Sequence, residues 1–263
     1  MHDERDRFLR GYEALCAIEN TDAPSIVTGL ADIAPDLARF VVEFGYGDVL
    51  TRPGLAPAER QLVTVGALTA LANAAPQLAF HLHGALNVGC SPTELVEAIV
   101  HVCLYAGFPA SINGLTVAKT VFAERGIRPD VTRADLGGMD RWERGLATLA
   151  TVDGRAGQHV IESLNDIAPD LGRFLVEFAF GDVYPRGGLD LRQRELVTVA
   201  ACTALGTVDP QLRIHIHGLL NTGGTQVELI EVIIQMALYA GFPAALNALT
   251  TAREVLRQRA TDQ

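Results

Sequence analysis

The sequence predicts an all-α protein built from two tandem helical units related by a pseudo-twofold axis. Three observations carry that expectation. The chain of 263 residues matches itself at an offset of 134, so that IAPDLARFVVEFGYGDV at 33–49 returns as IAPDLGRFLVEFAFGDV at 167–183, and YAGFPASIN at 105–113 as YAGFPAALN at 239–247. Apolar residues recur with a period nearer 3.6 than 2, and no stretch alternates persuasively as a strand would. Several segment boundaries carry helix start and stop residues. Between 33 and 113 the internal match needs no gap, so the two copies keep every loop length and therefore one fold. Two like folds in one chain pack about a twofold axis as isologous homodimers do. The units are expected at 1–125 and 140–263, with a linker at 126–139, GIRPDVTRADLGGM.

The periodicity predicts helices near 5–18, 24–32, 35–46, 57–73, 76–88, 92–106 and 109–124, each repeated about 134 residues later. In the helix near 35–46, Glu43 sits inside apolar FVVEF, as Glu177 sits inside FLVEF. A carboxylate there either lies at a helix edge or is paired in a polar pocket. The helix near 57–73 places Arg60 and Thr64 four apart on one face close to its start, repeated as Arg194 and Thr198. One position further on, Gln61 of the first copy becomes Glu195 of the second, so acid or base chemistry at that position belongs to the second unit alone.

The helix near 76–88 carries FHLHGALNVG, matched by IHIHGLLNTG at 214–223. Two histidines two apart would clamp one metal from a strand, but on a helix they point about 200° apart. The segment after it settles the choice. Ser91 as N-cap, Pro92 at the first helical position and Glu94 three residues after the cap form a capping box, and Thr225 with Glu228 repeats it. Gly89 and Gly223 precede those caps, where a helix ending wants a left-handed residue. A helix therefore runs through the histidines, and no metal ligand set is expected. Leu78, Leu82, Ala85 and Leu86 mark its apolar face, with His81 on the flank and His83 on the far side. His81 and His215 are the candidates for a pocket. On the next helix Glu97, His101 and Tyr105 form a stripe that becomes Glu231, Gln235 and Tyr239.

Composition bounds the function. The formal net charge is -10 with no basic run, so the attraction to phosphate that drives nucleic-acid binding lacks its counter-charge. The N-terminus MHDERDRFLRGYEAL has no apolar signal core, and no run reaches the roughly 18 apolar residues of a bilayer span. A soluble cytoplasmic protein with no nucleic-acid or membrane partner is expected. Cys16, Cys90, Cys103 and Cys202 form no C-x-x-C pair and no zinc spacing, which fits reduced thiols.

Taken together, G-D-V-x-x-R-P-G-L, the arginine opening the next helix, H-x-x-G-A-L-N-x-G, the capped E-L-x-E helix and Y-A-G-x-P-A resemble the carboxymuconolactone decarboxylase family, within the wider alkylhydroperoxidase D-like superfamily. The resemblance covers almost all of both units. It implies an all-helical fold, and for a tandem chain a trimer that forms a pseudo-hexamer. The peroxidase branch uses C-x-x-C-x-x-x-H, whose cysteines would fall at Ala74 and Gln77, or at Val208 and Gln211. Those thiols are absent, which argues against thiol-dependent peroxide reduction. The histidine position remains, and Glu195 lies close to that branch's glutamate.

The decarboxylase branch implies a cofactor-free reaction on a small carboxylated lactone. Loss of carbon dioxide leaves electron density that must be delocalised and then protonated on carbon, so the site needs a cation or hydrogen-bond donors and a proton donor. Arg60 and Arg194 are expected to bind substrate, with Arg52 and Arg186 as alternates and Glu43 and Glu177 as further pocket residues. His81, His215 and Glu195 are the expected proton-transfer groups. The chain departs from the decarboxylase pattern where tryptophans flank the G-[DE]-V turn, having Tyr46, Leu50, Phe180 and Tyr184 there, and where an arginine replaces His83 and His217. A less anionic substrate follows if that arginine binds carboxylate. Two other functions fit the residues: a non-catalytic small-molecule-binding oligomer, and thiol redox through Cys90 and Cys103, whose second-copy positions hold Gly224 and Ala237.

Overall fold

Why each copy folds as it does is visible helix by helix in the structure, a computed structural model that describes residues 4–129 and 134–261. The first unit runs α1 (Glu4–Glu19), α2 (Ser25–Gly29), α3 (Pro35–Phe40), a π-helical stretch Val41–Leu50, α4 (Pro57–Leu71), α5 (Ala75–Asn87) and α6 (Pro92–Glu124). The second runs α7 (Arg141–Val152), α8 (Arg155–Glu162), α9 (Pro169–Phe174), a π-helical stretch Leu175–Val183, α10 (Leu191–Leu205), α11 (Asp209–Asn221), α12 (Gln226–Met236) and α13 (Gly241–Thr261). Among the described residues there is no strand. Of the expected linker, residues 130–133 lie outside the described residues, and its remaining residues form no helix.

The caps read from the sequence form. Ser91 Oγ accepts from the Glu94 N–H at 3.1 Å while Glu94 Oε2 accepts from the Ser91 N–H at 2.7 Å. Thr225 and Glu228 do the same at 3.2 and 2.7 Å. Gly89 and Gly223 end the preceding helices at φ 100° and 96°, a region glycine enters without steric cost.

Two expectations change. The helix expected near 24–32 contracts to the five residues of α2. The helices expected at 92–106 and 109–124 do form, as the two arms of α6 on either side of non-helical Gly107 at φ 82°, and Gly241 at φ 84° makes the same break between α12 and α13. The helix expected at 35–46 widens after Phe40 into a π-helix. There α1 crosses so closely that a Cβ on Gly11 would stand 2.0 Å from the Val42 carbonyl oxygen. Arg10 Nε and Thr51 Oγ1 donate to the Gly47 carbonyl at 2.8 and 2.7 Å, so an oxygen displaced from regular helical bonding keeps partners.

The two units meet along α4 and α10. A Cβ on Gly66 would come within 2.7 Å of Val197 Cγ1, so the helices approach almost backbone to side chain. Each core borrows from the other unit: Leu55, Val63 and Ala67 pack with second-unit residues, and Leu189, Val197 and Ala201 with first-unit residues. Polar ties are reciprocal as well. Arg52 and Arg60 pair with Glu231 at 2.8 Å each, and Arg186 and Arg194 pair with Glu97 at 2.7 and 3.0 Å. Residue i meets j and the copy of j meets the copy of i, which is the isologous contact of a twofold. By length and composition α6 could cross a membrane; it is kinked at Gly107 and buries Leu95, Ala98, Ile99 and Val102 in the core.

Candidate functional site

The helix argument separates the histidines as expected. His81 and His215 are 6 % and 7 % exposed, facing inward from α5 and α11. His83 lies outward against Glu124 at 3.1 Å, and His217 against Arg259 at 3.3 Å. Asn87 and Asn221 fix the two helices alike, donating to the carbonyls of Ile18 and Val152 at 2.8 Å each.

Around His215 the inward groups form one chain of hydrogen bonds. His215 Nδ1 donates to Glu195 Oε2 at 3.0 Å, Tyr184 donates to Glu195 Oε1 at 2.6 Å, and the Tyr105 and Tyr184 hydroxyls bond at 2.7 Å. Because the Tyr184 hydroxyl donates its hydrogen bond to Glu195, Tyr105 is the donor in that last bond. Tyr105 stands edge-on to the His215 ring at 5.1 Å, and His101 edge-on to Tyr184 at 4.8 Å. Tyr105 and His101 come from α6, so the site is assembled across the unit boundary.

Electrostatics follow from this enclosure. Burial alone would drive the His215 imidazole below its ordinary value, but the charge and hydrogen bond of Glu195, with Asp153 adding, outweigh it and raise the pKa. Asp153, buried at the end of α7 with Oδ1 unpartnered, is pushed up to about 7, chiefly by burial; His215 opposes the shift and Glu195 adds to it. Burial, then the Glu195 charge, holds the Tyr184 and Tyr105 phenols far above their ordinary range, so both stay protonated donors. His101 Nε2 bonds Thr198 Oγ1 at 2.8 Å, and burial followed by the charges of Arg194 and His215 keeps its ring neutral.

The first-unit counterpart keeps the shape and loses the charges. His81 Nδ1 donates to the neutral amide of Gln61 at 2.9 Å, its Nε2 faces the Tyr239 hydroxyl at 3.4 Å, and burial drives its pKa to about 3. Tyr184 and His101 are replaced by Leu50 and Gln235.

Arg60 and Arg194 lie within the boundary between units, with Nη2 on Glu231 and Glu97 respectively. They differ at Nη1. Gln235 accepts from Arg60 Nη1 at 3.0 Å, whereas Arg194 Nη1 and the His101 Nδ1 standing in Gln235's place are both buried without a partner. The structure does not bring Glu43 or Glu177 to the histidines. Glu43 pairs with Arg39 at 2.7 Å and Arg7 at 4.0 Å, and Glu177 with Arg141 and Arg173 at 3.7 Å each, ties that hold the π-helical stretches. Both belong to ion pairs, and the pocket role expected of them is not supported by that placement. Tyr184 and Asp153 are the site residues that sequence reasoning did not assign. Tyr184 had a signal, its replacement by Leu50 in the register; Asp153 had none, because its copy is Glu19, another carboxylate.

A groove of about 470 Å³ opens beside Tyr184, lined also by Thr148, Thr151, Arg186 and Asp190. Tyr184 is thus the boundary between the groove and the buried pair. The four cysteines are free thiols, and burial pushes Cys90 and Cys202 up to about 12, away from thiolate chemistry. Among the described residues no three His, Cys, Asp or Glu side chains are grouped to hold a metal ion.

Comparison with known proteins matches residues 35–120 and 169–254 to the carboxymuconolactone decarboxylase family. The chain is similar to 4-carboxymuconolactone decarboxylase of Acinetobacter baylyi, 41 % identical over 120 residues that cover 44 % of this chain and 87 % of that one. It is also similar to nitrosuccinic acid decarboxylase of Metarhizium robertsii, 34 % identical over 81 residues, 31 % of this chain and 56 % of that one. A crystal structure of a protein from Burkholderia xenovorans LB400 shares the fold with a TM-score of 0.60 at 24 % identity, covering 95 % of this chain and 98 % of that one.

Proposed function

The chain belongs to the carboxymuconolactone decarboxylase family, and on that premise we propose that it is a carboxy-lyase acting on a small carboxylated lactone or related unsaturated acid, with His215 as proton donor. The decarboxylase character of its relatives supports the reaction class. The observation that carries the assignment is the buried His215–Glu195 hydrogen bond at 3.0 Å. A carboxylate on Nδ1 fixes the tautomer and favours the imidazolium, leaving Nε2–H as the acid.

The bond from ring carbon to the carboxylate breaks, its electron pair delocalises onto the conjugated carbonyl oxygen, and carbon dioxide leaves. His215 Nε2 then gives its proton to carbon as the electrons return, and the neutral imidazole takes a proton from solvent. Arg194 and His101 supply what the substrate lacks, a cationic donor and a neutral ring whose buried Nη1 and Nδ1 have no partner within the protein. A donor of this kind is worth roughly 2 to 4 kcal/mol in a transition state. Tyr105 and Tyr184 hold Glu195 in place, and the groove beside Tyr184 is the route of entry.

Purified protein offered carboxymuconolactone, related unsaturated lactones and β-keto acids is expected to release carbon dioxide from one of them. His215→Asn should lower kcat by about 100-fold or more. Absence of turnover on all of them, or turnover unchanged in the variant, overturns the assignment.

A further inference from the structure

We propose that each chain holds one working centre, around His215, and that the pseudo-equivalent site around His81 is a silent copy whose helices serve the working one. The inference rests on the proton-transfer reading above and goes beyond it by assigning the chemistry to one unit. At the offset of 134, four of the positions that differ between the sites bear on the hydrogen-bond chain around the imidazole: Tyr184 against Leu50, Glu195 against Gln61, His101 against Gln235 and Asp153 against Glu19. Three of the four remove an ionisable group from the first site. In the fourth, Glu19 turns away, and both its oxygens accept from the Ser25 N–H at 3.0 Å.

What the sites share is as informative as what they do not. The histidines, the asparagines on the carbonyls of Ile18 and Val152, the tyrosines Tyr239 and Tyr105, and Thr64 and Thr198 all persist. The frame is kept and the first side lacks the carboxylate on the imidazole, the phenol on that carboxylate and the second histidine; the one phenol it has in exchange, Tyr46 against Phe180, lies toward Tyr239. The first site has also closed on itself. Gln235 accepts from Arg60 Nη1 and donates to Thr64 at 2.8 Å, Gln61 takes His81 Nδ1, and Tyr239 faces Nε2. A buried imidazole on a neutral amide has no charge to stabilise its protonated form, so it holds no acid proton at neutral pH. In the second site His215 has Glu195, and Tyr105 bonds Tyr184 rather than the imidazole.

The first unit is nevertheless required. Its α6 carries His101 and Tyr105 into the working site, and Glu97 on the same helix fixes Arg194 at 3.0 Å. The duplicated unit has become a scaffold for its neighbour's chemistry.

The test uses the full chain and the variants Glu195→Gln, His215→Asn and His81→Asn. Glu195→Gln is the sharpest of them, because it writes into the second site the residue with which the first already folds. Turnover should fall about 100-fold or more in Glu195→Gln and His215→Asn, and stay within about twofold in His81→Asn, with melting curves confirming that each variant is folded. In parallel, NMR titration of the histidine ring carbons without substrate should show a His215 signal that titrates above the ordinary imidazole value and moves down in Glu195→Gln. The signal lost in His81→Asn should remain that of a neutral ring down to pH 5. Equal losses of turnover in His81→Asn and His215→Asn, or titration of His81 alongside His215, overturn the proposal. Should no substrate be turned over by the unmodified chain, the functional reading fails, and the titration alone decides whether the sites are unequal.

Discussion

Asp153 and His215 make stability depend on pH in the direction opposite to that of a salt-bridged surface carboxylate. Both have folded-state pKa values raised above the ordinary ones, Asp153 to about 7 from 3.8 and His215 above 6.5. For Asp153 the native state therefore binds the proton between about pH 4 and 7, and stability is present below that window and lost as pH rises through it. The His215 contribution is fully present below its unfolded value and is lost as pH rises through the folded one. Asp153→Asn removes the buried carboxylate while keeping its shape. The variant should melt above the unmodified chain at pH 8, by an amount on the order of a few kcal/mol, and the gap should close by pH 4. Melting curves across that range check it. A variant less stable at pH 8 would mean that the ionised carboxylate is favourably paired rather than merely enclosed.

At the scale of elements, each π-helical stretch is crossed by a neighbouring helix at a glycine, Gly11 on α1 and Gly145 on α7. A Cβ on Gly145 would stand 2.2 Å from the Val176 carbonyl oxygen and 2.9 Å from its carbon, and both are backbone atoms that cannot rotate away. Gly145→Ala must push α7 off the stretch Leu175–Val183, and α7 is the helix that delivers Asp153 to the site. The expected loss is about 1 to 3 kcal/mol, the usual cost of overpacking. Gly138→Ala, with nothing within 4 Å of the added carbon, should change little. Denaturant titration of the pair checks this, and equal stability of the two would show that the crossing has slack. Helix starts and the inward turn of His81 and His215 were legible in the sequence because caps and faces depend on residues a few positions apart. The crossing distance at Gly145 was not, since it depends on a segment about thirty residues away. The same reason hid the role of Arg60, whose partner Glu231 is 171 residues distant, and the inward turn of Asp153, which its helix end sets rather than any local pattern. For Glu43 and Glu177 the sequence leaves ion pair and pocket open and the pocket role is the one expected; the pairs with Arg39 and Arg173 depend on side-chain placement that the sequence does not show.

Over the whole molecule most of the large exposed apolar residues also come in pairs. Ile33, Leu37, Phe40, Phe108 and Ile112 are exposed, and so are Ile167, Leu171, Phe174, Phe242 and Leu246 at the equivalent positions. Scattered single apolar residues are ordinary on a surface, but these gather. Phe108 lies 5.7 Å from Phe178, one turn beyond Phe174, and Phe242 lies 5.7 Å from Phe44, one turn beyond Phe40. The segment after Gly107 thus adjoins the π-helical stretch of the second unit, and the start of α13 that of the first, which makes two composite patches related by the pseudo-twofold. A chain with two such patches joins two neighbours, and its assembly either closes into a ring or grows as a filament. We propose closure at three chains, giving six pseudo-equivalent units. Light scattering should then return roughly three times the chain mass of 28.1 kDa, independent of concentration in the micromolar range. Phe108→Glu with Phe242→Glu places one charge in each patch and should yield monomers; because the contacts of a three-chain ring are all alike, either change alone also enters every contact and should weaken each of them, giving concentration-dependent dissociation. A monodisperse monomer from the unmodified chain would overturn the assignment, and the paired patches would then need another partner.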